Sequence, residues 1–223
     1  DPKTAGTTVL ENDAIRLWHQ GDDVLIASFK TKMNTIGPDV LDGLTQAIEI
    51  AEKDYAGLVI WQTGSITGGP FSAGADLQAA MPLFMQGGAK AVEPFVKKFQ
   101  DTAMRVKYAQ VPVVAAVAGL ALGGGCETLM HCAHRVAHLE SYIGLVELGV
   151  GLVPAGGGLK EAALRASTAS NTTGISNQTE FIKPWFQNVA MANVAKSARD
   201  AQAIGYLLPT DTIVFNIHEL LYV

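Results

Sequence analysis

Three short segments contain the residues that could do chemistry, and the glycine-rich one is the most informative. Gly123, Gly124 and Gly125 stand between an apolar, strand-like run and Glu127, which falls at the start of a predicted helix. Glycine lets the backbone approach a ligand closely, and the first turn of a helix offers unpaired N–H groups at a positive dipole end. This turn is therefore suited to hold an anion or a developing oxyanion.

Phosphate binding is a poor interpretation of this glycine triplet. A Walker-type loop needs Lys and then Ser or Thr after its last glycine, whereas Cys126 and Glu127 follow here. The G-x-G-x-x-G dinucleotide fingerprint is not matched, and Glu127 would repel a pyrophosphate. For this segment alone, a turn needed only for close packing of a strand and a helix is an equally good explanation.

The second segment, from Phe71 to Leu77, repeats the same design. It follows a strand-like run, Gly57 to Gln62, and a glycine-rich turn, and it predicts a helix with Asp76 in its first turn. A carboxylate at that position suits the helix dipole. Two backbone N–H groups, one from each turn, could converge on one oxygen, as an oxyanion hole requires.

The third segment places Glu147 in an otherwise uncharged run from Ser141 to Leu159. An unpaired carboxylate in such surroundings is desolvated, and its pKa rises towards the range useful for proton transfer. The alternatives are that Glu147 lies at the surface or pairs with Lys160 or Arg165. Together with Glu127, a second carboxylate of this kind favours acid/base chemistry.

In order and approximate spacing, the three segments resemble the crotonase (enoyl-CoA hydratase/isomerase) family over nearly the whole chain. The matching motifs are S-A-G-A-D-L, A-L-G-G-G-C-E and V-E-L-G-V-G-L-V-P-A-G-G-G. The resemblance implies an α/β fold, a spiral of repeated ββα units, that binds coenzyme A thioesters with the thioester carbonyl in an oxyanion hole. It places the oxyanion donors at Ala75 and Gly124 and the catalytic acids at Glu127 and Glu147. By the same resemblance, we expect further substrate contacts from Lys32, Ala73, Asp76 and Gly123, although Lys32 is nearly as well explained as an ordinary solvated lysine.

The activity that this resemblance implies is reversible addition of water to a trans-2-enoyl-CoA in fatty acid β-oxidation. Glu127 would act on the water and Glu147 on Cα. Isomerisation of an enoyl-CoA with one acid, another reaction of the family, and a non-catalytic acyl-CoA-binding or assembly module are the alternatives. No tightly bound cofactor is expected, because coenzyme A enters as part of the substrate.

Composition agrees with a folded α/β domain over residues 1–223. Hydrophobic residues make up 48% and charged residues 17%, which argues against disorder over most of the length. With a net charge of −5 and no basic stripe, nucleic acid is not an expected partner. The longest uncharged run near the triplet, Val111 to Cys126, is too short and too rich in glycine to span a membrane.

Two cysteines, Cys126 and Cys132, do not suggest a disulfide framework, so we expect a reducing, cytoplasmic environment. Cys126 as a nucleophile with His131 and His134 is disfavoured, since the two histidines do not share its helical face. The spacing of these four residues is also unlike that of a structural zinc site, so no metal is expected.

The elements predicted along the chain alternate between strand and helix, which favours the α/β class. Strands are predicted at Val24–Phe29, Gly57–Gln62 and Val113–Val117, and helices at Pro38–Glu52, Lys97–Tyr108, Phe181–Phe186, Val189–Lys196 and Ser197–Tyr206. The polar stretch at 166–178 is predicted to be an inserted loop.

The ends of the sequence lead us to expect a piece of a longer polypeptide. The chain begins at Asp1 without methionine or a visible targeting segment, and an amphipathic helix is predicted to start at Asn216 just before the end. The C-terminal helices of the family would then be truncated. This arrangement is similar to the crotonase portion of bifunctional proteins that also carry a 3-hydroxyacyl-CoA dehydrogenase, so a fused dehydrogenase domain or a homo-oligomer is an expected partner.

Overall fold

Within residues 5–222, seven strands form one mixed sheet in the order in which they occur along the chain. The computed structural model describes residues 5–222. β2 is antiparallel to both of its neighbours, β1 and β3, and the strands from β3 to β7 are parallel to one another. The strands are β1 (Thr7–Glu11), β2 (Ile15–His19), β3 (Val24–Phe29), β4 (Gly57–Trp61), β5 (Val113–Leu122), β6 (His134–Gly144) and β7 (Thr212–Val214).

Helices connect the parallel strands, as parallel pairing requires. They are α1 (Pro38–Asp54), α2 (Leu77–Lys107), α3 (Gly124–His131), α4 (Gly158–Thr173), α5 (Thr179–Ala190) and α6 (Ala198–Ile204). The apolar face of α1, with Val40, Leu44 and Ile48, packs in the main core against the sheet. A smaller core containing Trp18 and Trp61 lies in a separate cluster.

The far ends of β5 and β6 position the segments identified above. The pairing of β5 with β6 shifts register at 117–119, where Gly119 has a φ of +64°, and then continues to Leu122 and Gly144. The backbone of Ser72 pairs with the end of β5 from the other side. Its N–H donates to Leu120 O and its carbonyl oxygen accepts from Leu122 N–H, at 3.0 Å each. The chain from Phe71 to Leu77 is thereby attached beside the start of α3. Ligand sites of parallel sheets commonly lie at such carboxyl ends of strands.

Most predicted elements are confirmed, and the differences have local physical causes. The predicted loop at 166–178 is wrong, because α4 continues to Thr173 and only the chain beyond it is irregular. Ala162, Ala166 and Ser170 recur at four-residue spacing and are buried, so one face of the helix packs despite its polar sequence. Near the end of this helix, Thr172 and Thr173 donate hydroxyl hydrogen bonds to backbone carbonyls four residues earlier.

The predicted helix at Val189–Lys196 is also wrong. α5 ends at Ala190, Ala192 has a φ of +49°, and Ala195 N–H donates to Ile143 O at the end of β6. Because the Ala195 N–H donates to β6 and not to a carbonyl of a helix, the backbone at this residue is irregular.

Two other predicted helices differ from the structure in length. The helix predicted at Lys97–Tyr108 is the second part of α2, which begins at Leu77 and is interrupted at Gly88. The helix predicted from Asn216 is a single 3-10 turn at Ile217–Glu219, and its last residue, Val223, lies outside the described residues.

None of the helices within residues 5–222 combines the length and the apolar character needed to cross a bilayer.

Candidate active site

The turn between Ser72 and Leu77 is held by hydrogen bonds on both sides, which leaves one amide unused. Ile36 N–H donates to Gly74 O at 2.8 Å, and Asp76 N–H donates to Ile36 O at 3.0 Å. In this parallel bridge the N–H of the intervening residue, Ala75, points away from Ile36. Gly74 has a φ of +101°, a backbone conformation that residues other than glycine rarely adopt.

The second turn begins α3 and lies directly against the first. Gly123 has a φ of +50°, and its N–H donates to Gly144 O at 2.9 Å. A Cβ placed on Gly74 would lie 3.3 Å from Gly124 N, and one placed on Gly124 would lie 3.1 Å from Ala75 N. Within the part of the chain that the structure describes, neither the Ala75 N–H nor the Gly124 N–H has an acceptor. The two amides are therefore close together and available to a ligand.

A cavity of about 340 Å³ opens between these turns, α2 and the chain that follows β6. Ala73, Gly74 and Ala75 line one part of it, and Gly123 and Gly124 line the adjoining part. Phe95, Val96 and Phe99 of α2 form an apolar wall, and Glu127 and Glu147 also line the cavity. The structure thus brings both predicted donors and both predicted acids to one apolar space.

Glu127 lies in the first turn of α3 and is almost completely buried. Burial raises the pKa of its carboxyl to about 8, and the charge of Glu147 adds to this effect. Amide hydrogen bonds oppose the rise: Gly158 N–H donates to Glu127 Oε1 at 2.9 Å, with further contributions from the Gly156 and Gly157 amides. The carboxyl is therefore fixed by the start of α4 and remains titratable near neutral pH.

Glu147 is the first residue of a 3-10 helix, Glu147–Val150, and its carboxyl differs from that of Glu127 in its hydrogen bonding. Both of its carboxyl oxygens are buried, and neither has a hydrogen-bond partner among residues 5–222. Burial raises the pKa of Glu147 to about 7. A Cβ on Gly123 would lie 3.4 Å from Glu147 Oε1, so this carboxyl stands beside the second turn. A buried acid without a partner is costly to a fold, and such groups concentrate at functional sites.

The other predicted contact residues occupy mixed positions. Ala73 and Gly123 line the cavity, whereas Lys32 and Asp76 are not among its lining residues. The side chain of Asp76 accepts from Ala79 N at 3.2 Å and so caps the start of α2. Lys32 is exposed in a short 3-10 helix, and Ala73 N–H donates to the carbonyl of the next residue, Met33. Lys32 thus belongs to a segment attached to the first turn, with its side chain in solvent.

Cys126 and Cys132 are free thiols, and both are buried. Burial raises the pKa of the Cys132 thiol to about 12 and that of Cys126 well above its ordinary value, so neither is a ready nucleophile. Over residues 5–222, no group of three or more His, Cys, Asp or Glu side chains is arranged to hold a metal ion.

Sequence reasoning missed two contributors to the site. Phe99, in the middle of α2, closes the apolar side of the cavity beside Gly124 and Gly156. The amides from Gly156 to Gly158 hold the Glu127 carboxylate, a role that the second glycine triplet could have suggested through its similarity to the first.

Comparison with known proteins relates the chain to one enzyme family. A sequence model of the enoyl-CoA hydratase/isomerase family matches residues 24–176. A Bacillus subtilis protein named as a probable 3-hydroxyacyl-CoA dehydrogenase is 36% identical over 96% of this chain and 26% of its own length. A Rickettsia felis protein that carries the name of a fatty acid oxidation complex trifunctional enzyme is 36% identical over 88% of this chain and 26% of its own length. The chain thus spans about a quarter of the length of these relatives.

Solved structures show the same fold. The crystal structure of an enoyl-CoA hydratase from Thermoplasma volcanium superimposes with a TM-score of 0.74 at 22% identity, covering 95% of this chain and 75% of the other. At this identity the likeness concerns the fold alone, and it confirms the α/β crotonase-type architecture predicted from the sequence.

Proposed function

Because the chain belongs to the enoyl-CoA hydratase/isomerase family, we propose that its cavity hydrates trans-2-enoyl-CoA thioesters to 3-hydroxyacyl-CoA. The observation that carries this proposal is the meeting of two unpaired amides and two carboxyls of raised pKa in one apolar cavity. Coenzyme A is part of the substrate, and none of the steps below requires another cofactor.

The thioester carbonyl binds at the two turns. Ala75 N–H and Gly124 N–H donate to its oxygen, which gains negative charge as the double bond is attacked. Since the amides are fixed by the backbone before the substrate arrives, little reorganisation is needed at the transition state. Loss of one such donor typically slows catalysis by about a hundredfold to a thousandfold.

The two carboxyls then supply a base and an acid. Glu127 takes a proton from the water whose oxygen bonds to Cβ, the π electrons of the double bond move towards the carbonyl, and Glu147 delivers a proton to Cα. One proton enters the pair as another leaves it, so the pair is restored by moving a proton from Glu127 to Glu147. The hydrogen bond from Gly158 N–H stabilises the ionised form of Glu127, although burial and the charge of Glu147 outweigh it in the free site.

The test is hydration of crotonyl-CoA, followed by the loss of its enone absorbance. We expect turnover by this chain, and Glu127→Gln and Glu147→Gln should each lower it by about 10²-fold to 10⁴-fold while leaving acyl-CoA binding nearly intact. Undiminished turnover in both variants would exclude the proposed roles. Binding without turnover in the unaltered chain would instead favour an acyl-CoA-binding module.

A second candidate reaction is migration of a double bond between the 3 and 2 positions of an enoyl-CoA. It needs one acid/base group, and the unpartnered oxygens of Glu147 suit that role, whereas Glu127 has one oxygen engaged by Gly158. Incubation with a 3-enoyl-CoA separates the two cases. An isomerase would form the 2-enoyl product in the Glu127→Gln variant, and a hydratase that needs both acids would not release hydrated product.

The wider setting of this reaction is also a proposal. The relatives named above are about four times as long and are named for 3-hydroxyacyl-CoA dehydrogenase and fatty acid oxidation. A place in β-oxidation, with a fused dehydrogenase that consumes the 3-hydroxyacyl product, accounts for both names. Homo-oligomer formation and a cytoplasmic location stay predictions.

A further inference from the structure

His131 is a buried titratable side chain that the reaction above does not use. It lies one turn after Glu127 on α3, and its Nδ1 is 2.7 Å from the main-chain oxygen of Glu127. A carbonyl oxygen only accepts hydrogen bonds, so Nδ1 carries the proton and donates, and Nε2 is unprotonated in the neutral ring.

The surroundings of His131 keep the ring neutral. Burial lowers its pKa to about 4, and the charges of Lys160 on α4 and Lys107 on α2 lower it further, against the opposing effects of the Glu127 carbonyl and the Glu161 carboxylate. Nε2 lies 3.7 Å from Glu161 Oε1 and has no hydrogen-bond partner among the described residues. Near neutral pH the ring is thus a hydrogen-bond donor and a packing element, without charge to contribute.

The other edge of the ring faces the turn that holds Glu127. A Cβ on Gly157 would lie 2.6 Å from Cε1 and 2.8 Å from Nε2 of His131, so the ring fills the space directly against Gly157. Gly157 has a φ of +122° and precedes Gly158, whose N–H donates to the Glu127 carboxyl. One imidazole therefore contacts both the main chain of Glu127 and the turn that binds its carboxyl.

We infer that His131 is a positioning residue, which sets the distance between the Glu127 carboxyl and the N–H groups of the glycine turn at 156–158. The inference rests on the proposed function for its effect on rate. Without the ring, the turn can move towards the empty space and lengthen the amide hydrogen bonds. Because those bonds favour the ionised carboxylate, Glu127 becomes harder to ionise when they weaken.

The test compares His131→Ala and His131→Asn with a control variant, Met130→Ala. Met130 is the neighbouring residue on α3 and is buried in the main core, so its truncation reports the effect of a core cavity alone. For His131→Ala we expect kcat for crotonyl-CoA to fall about 10-fold to 100-fold, with KM changed less than about twofold. The pH–rate profile of this variant should move to higher pH, since weaker amide hydrogen bonds raise the pKa of Glu127 and with it the ionisation of the pair.

The two comparison variants should behave differently from His131→Ala. Asn can place its side-chain N–H where Nδ1 stood, so His131→Asn should recover part of the rate. Met130→Ala should lower stability while leaving kcat and the pH–rate profile in place. Unchanged kcat and an unchanged pH–rate profile in folded His131→Ala would overturn the inference, as would equal shifts in the Met130→Ala control.

A double variant tests whether His131 acts through Glu127. Adding His131→Ala to Glu127→Gln should cause no further loss of the residual rate, because the group being positioned is already gone. A further 10-fold loss in that background would show an independent role and contradict the inference.

Direct titration of the Glu127 carboxyl separates this inference from the proposed function. Carbon-13 NMR of the labelled side chain needs no turnover, and His131→Ala should raise the Glu127 pKa relative to the unaltered chain. If crotonyl-CoA is not hydrated, the proposed function fails while this measurement still decides the role of His131. If crotonyl-CoA is hydrated and the Glu127 pKa does not change in the variant, the inference alone fails.

Discussion

Glu127 and Glu161 are two buried carboxyls on neighbouring elements, and their ionisation differs for a clear reason. Their exposures are similar, 4% and 2%. Burial raises the pKa of Glu127 to about 8, whereas for Glu161 the hydrogen bonds from Lys107 and Lys160 outweigh burial and hold the pKa below its ordinary value. The two lysine nitrogens lie 2.7 and 2.6 Å from Glu161 Oε1.

Burial alone therefore does not identify a functional acid in this protein. Glu161 is a stabilising anion because cations accompany it, and it stays charged through the neutral range. Glu127 has amide donors and another carboxyl as its neighbours, so its proton can be exchanged near neutrality. The buried carboxyl that the fold leaves without a cation is the candidate for proton transfer.

The largest expected effect is on kcat, which should fall far more when Glu127 is replaced than when Glu161 is replaced. Glu127→Gln should lower kcat for crotonyl-CoA by about 10²-fold to 10⁴-fold, because it removes a general base. Glu161→Gln should change kcat by less than about tenfold, yet destabilise the fold by about 1–3 kcal/mol because two lysines lose their anion. Steady-state kinetics and urea unfolding of both variants measure this, and a reversed pattern would refute the comparison.

The pH dependence of turnover should follow the pair formed by Glu127 and Glu147. Below about pH 7 both carboxyls are protonated and no base is available, whereas above about pH 8 both are ionised and no acid is available. The profile of kcat/KM should therefore be bell-shaped with limbs near these values, which belong to the pair as a whole. A rate that stays constant from pH 5 to 10 would contradict the acid/base roles of both residues.

Stability should depend on pH in opposite directions for the two sites. The Glu127 pKa is raised on folding, so its stabilising contribution is full below pH 4.5 and is lost as pH rises towards about 8. Glu127→Gln should thus stabilise the protein at pH 8 by about 2–4 kcal/mol and have little effect at pH 4. The lowered pKa of Glu161 acts oppositely, with stability present above its unfolded pKa and lost in acid. Urea midpoints of Glu127→Gln and the unaltered chain across pH 4–9 measure the first effect, which an equal difference at every pH would disprove.

The smallest expected effect distinguishes the two cations of Glu161. The side chain of Lys107 is 23% exposed and that of Lys160 is 41% exposed. Lys107→Met should destabilise the protein by about 1–2 kcal/mol and Lys160→Met by less than about 1 kcal/mol, since solvent weakens the more exposed pair. Chemical unfolding at pH 7 measures both free energies of unfolding. A larger loss of stability in Lys160→Met than in Lys107→Met would show that solvent exposure does not decide which lysine contributes more.

The main elements could be predicted where a local pattern coincided with a packed face. The apolar spacing in α1 and the apolar runs of β3 and β4 gave boundaries within about two residues of those observed. The polar sequence at 166–178 misled the prediction, because helix α4 there depends on a buried face of small residues that has weak hydrophobic character. Conversely, the apolar pattern at Val189–Lys196 is interrupted by a hydrogen bond to β6 that no local signal encodes.

By itself, the sequence determined which residues could do the chemistry. Gly74, Gly123 and Gly124 permit backbone geometries and contacts that a side chain would block, and Glu127 and Glu147 are the only acids in their apolar stretches.

Only the tertiary structure decided how these groups act together. The attachment of Ser72 to β5 brings two separate turns into contact, and the start of α4 supplies an amide to Glu127. The raised pKa values of both carboxyls follow from burial, and for Glu127 the nearby charge of Glu147 adds to the rise. Residue types fix what a group can donate or accept, but distances and solvent exclusion, which set the strength of those interactions, exist only once the chain has folded.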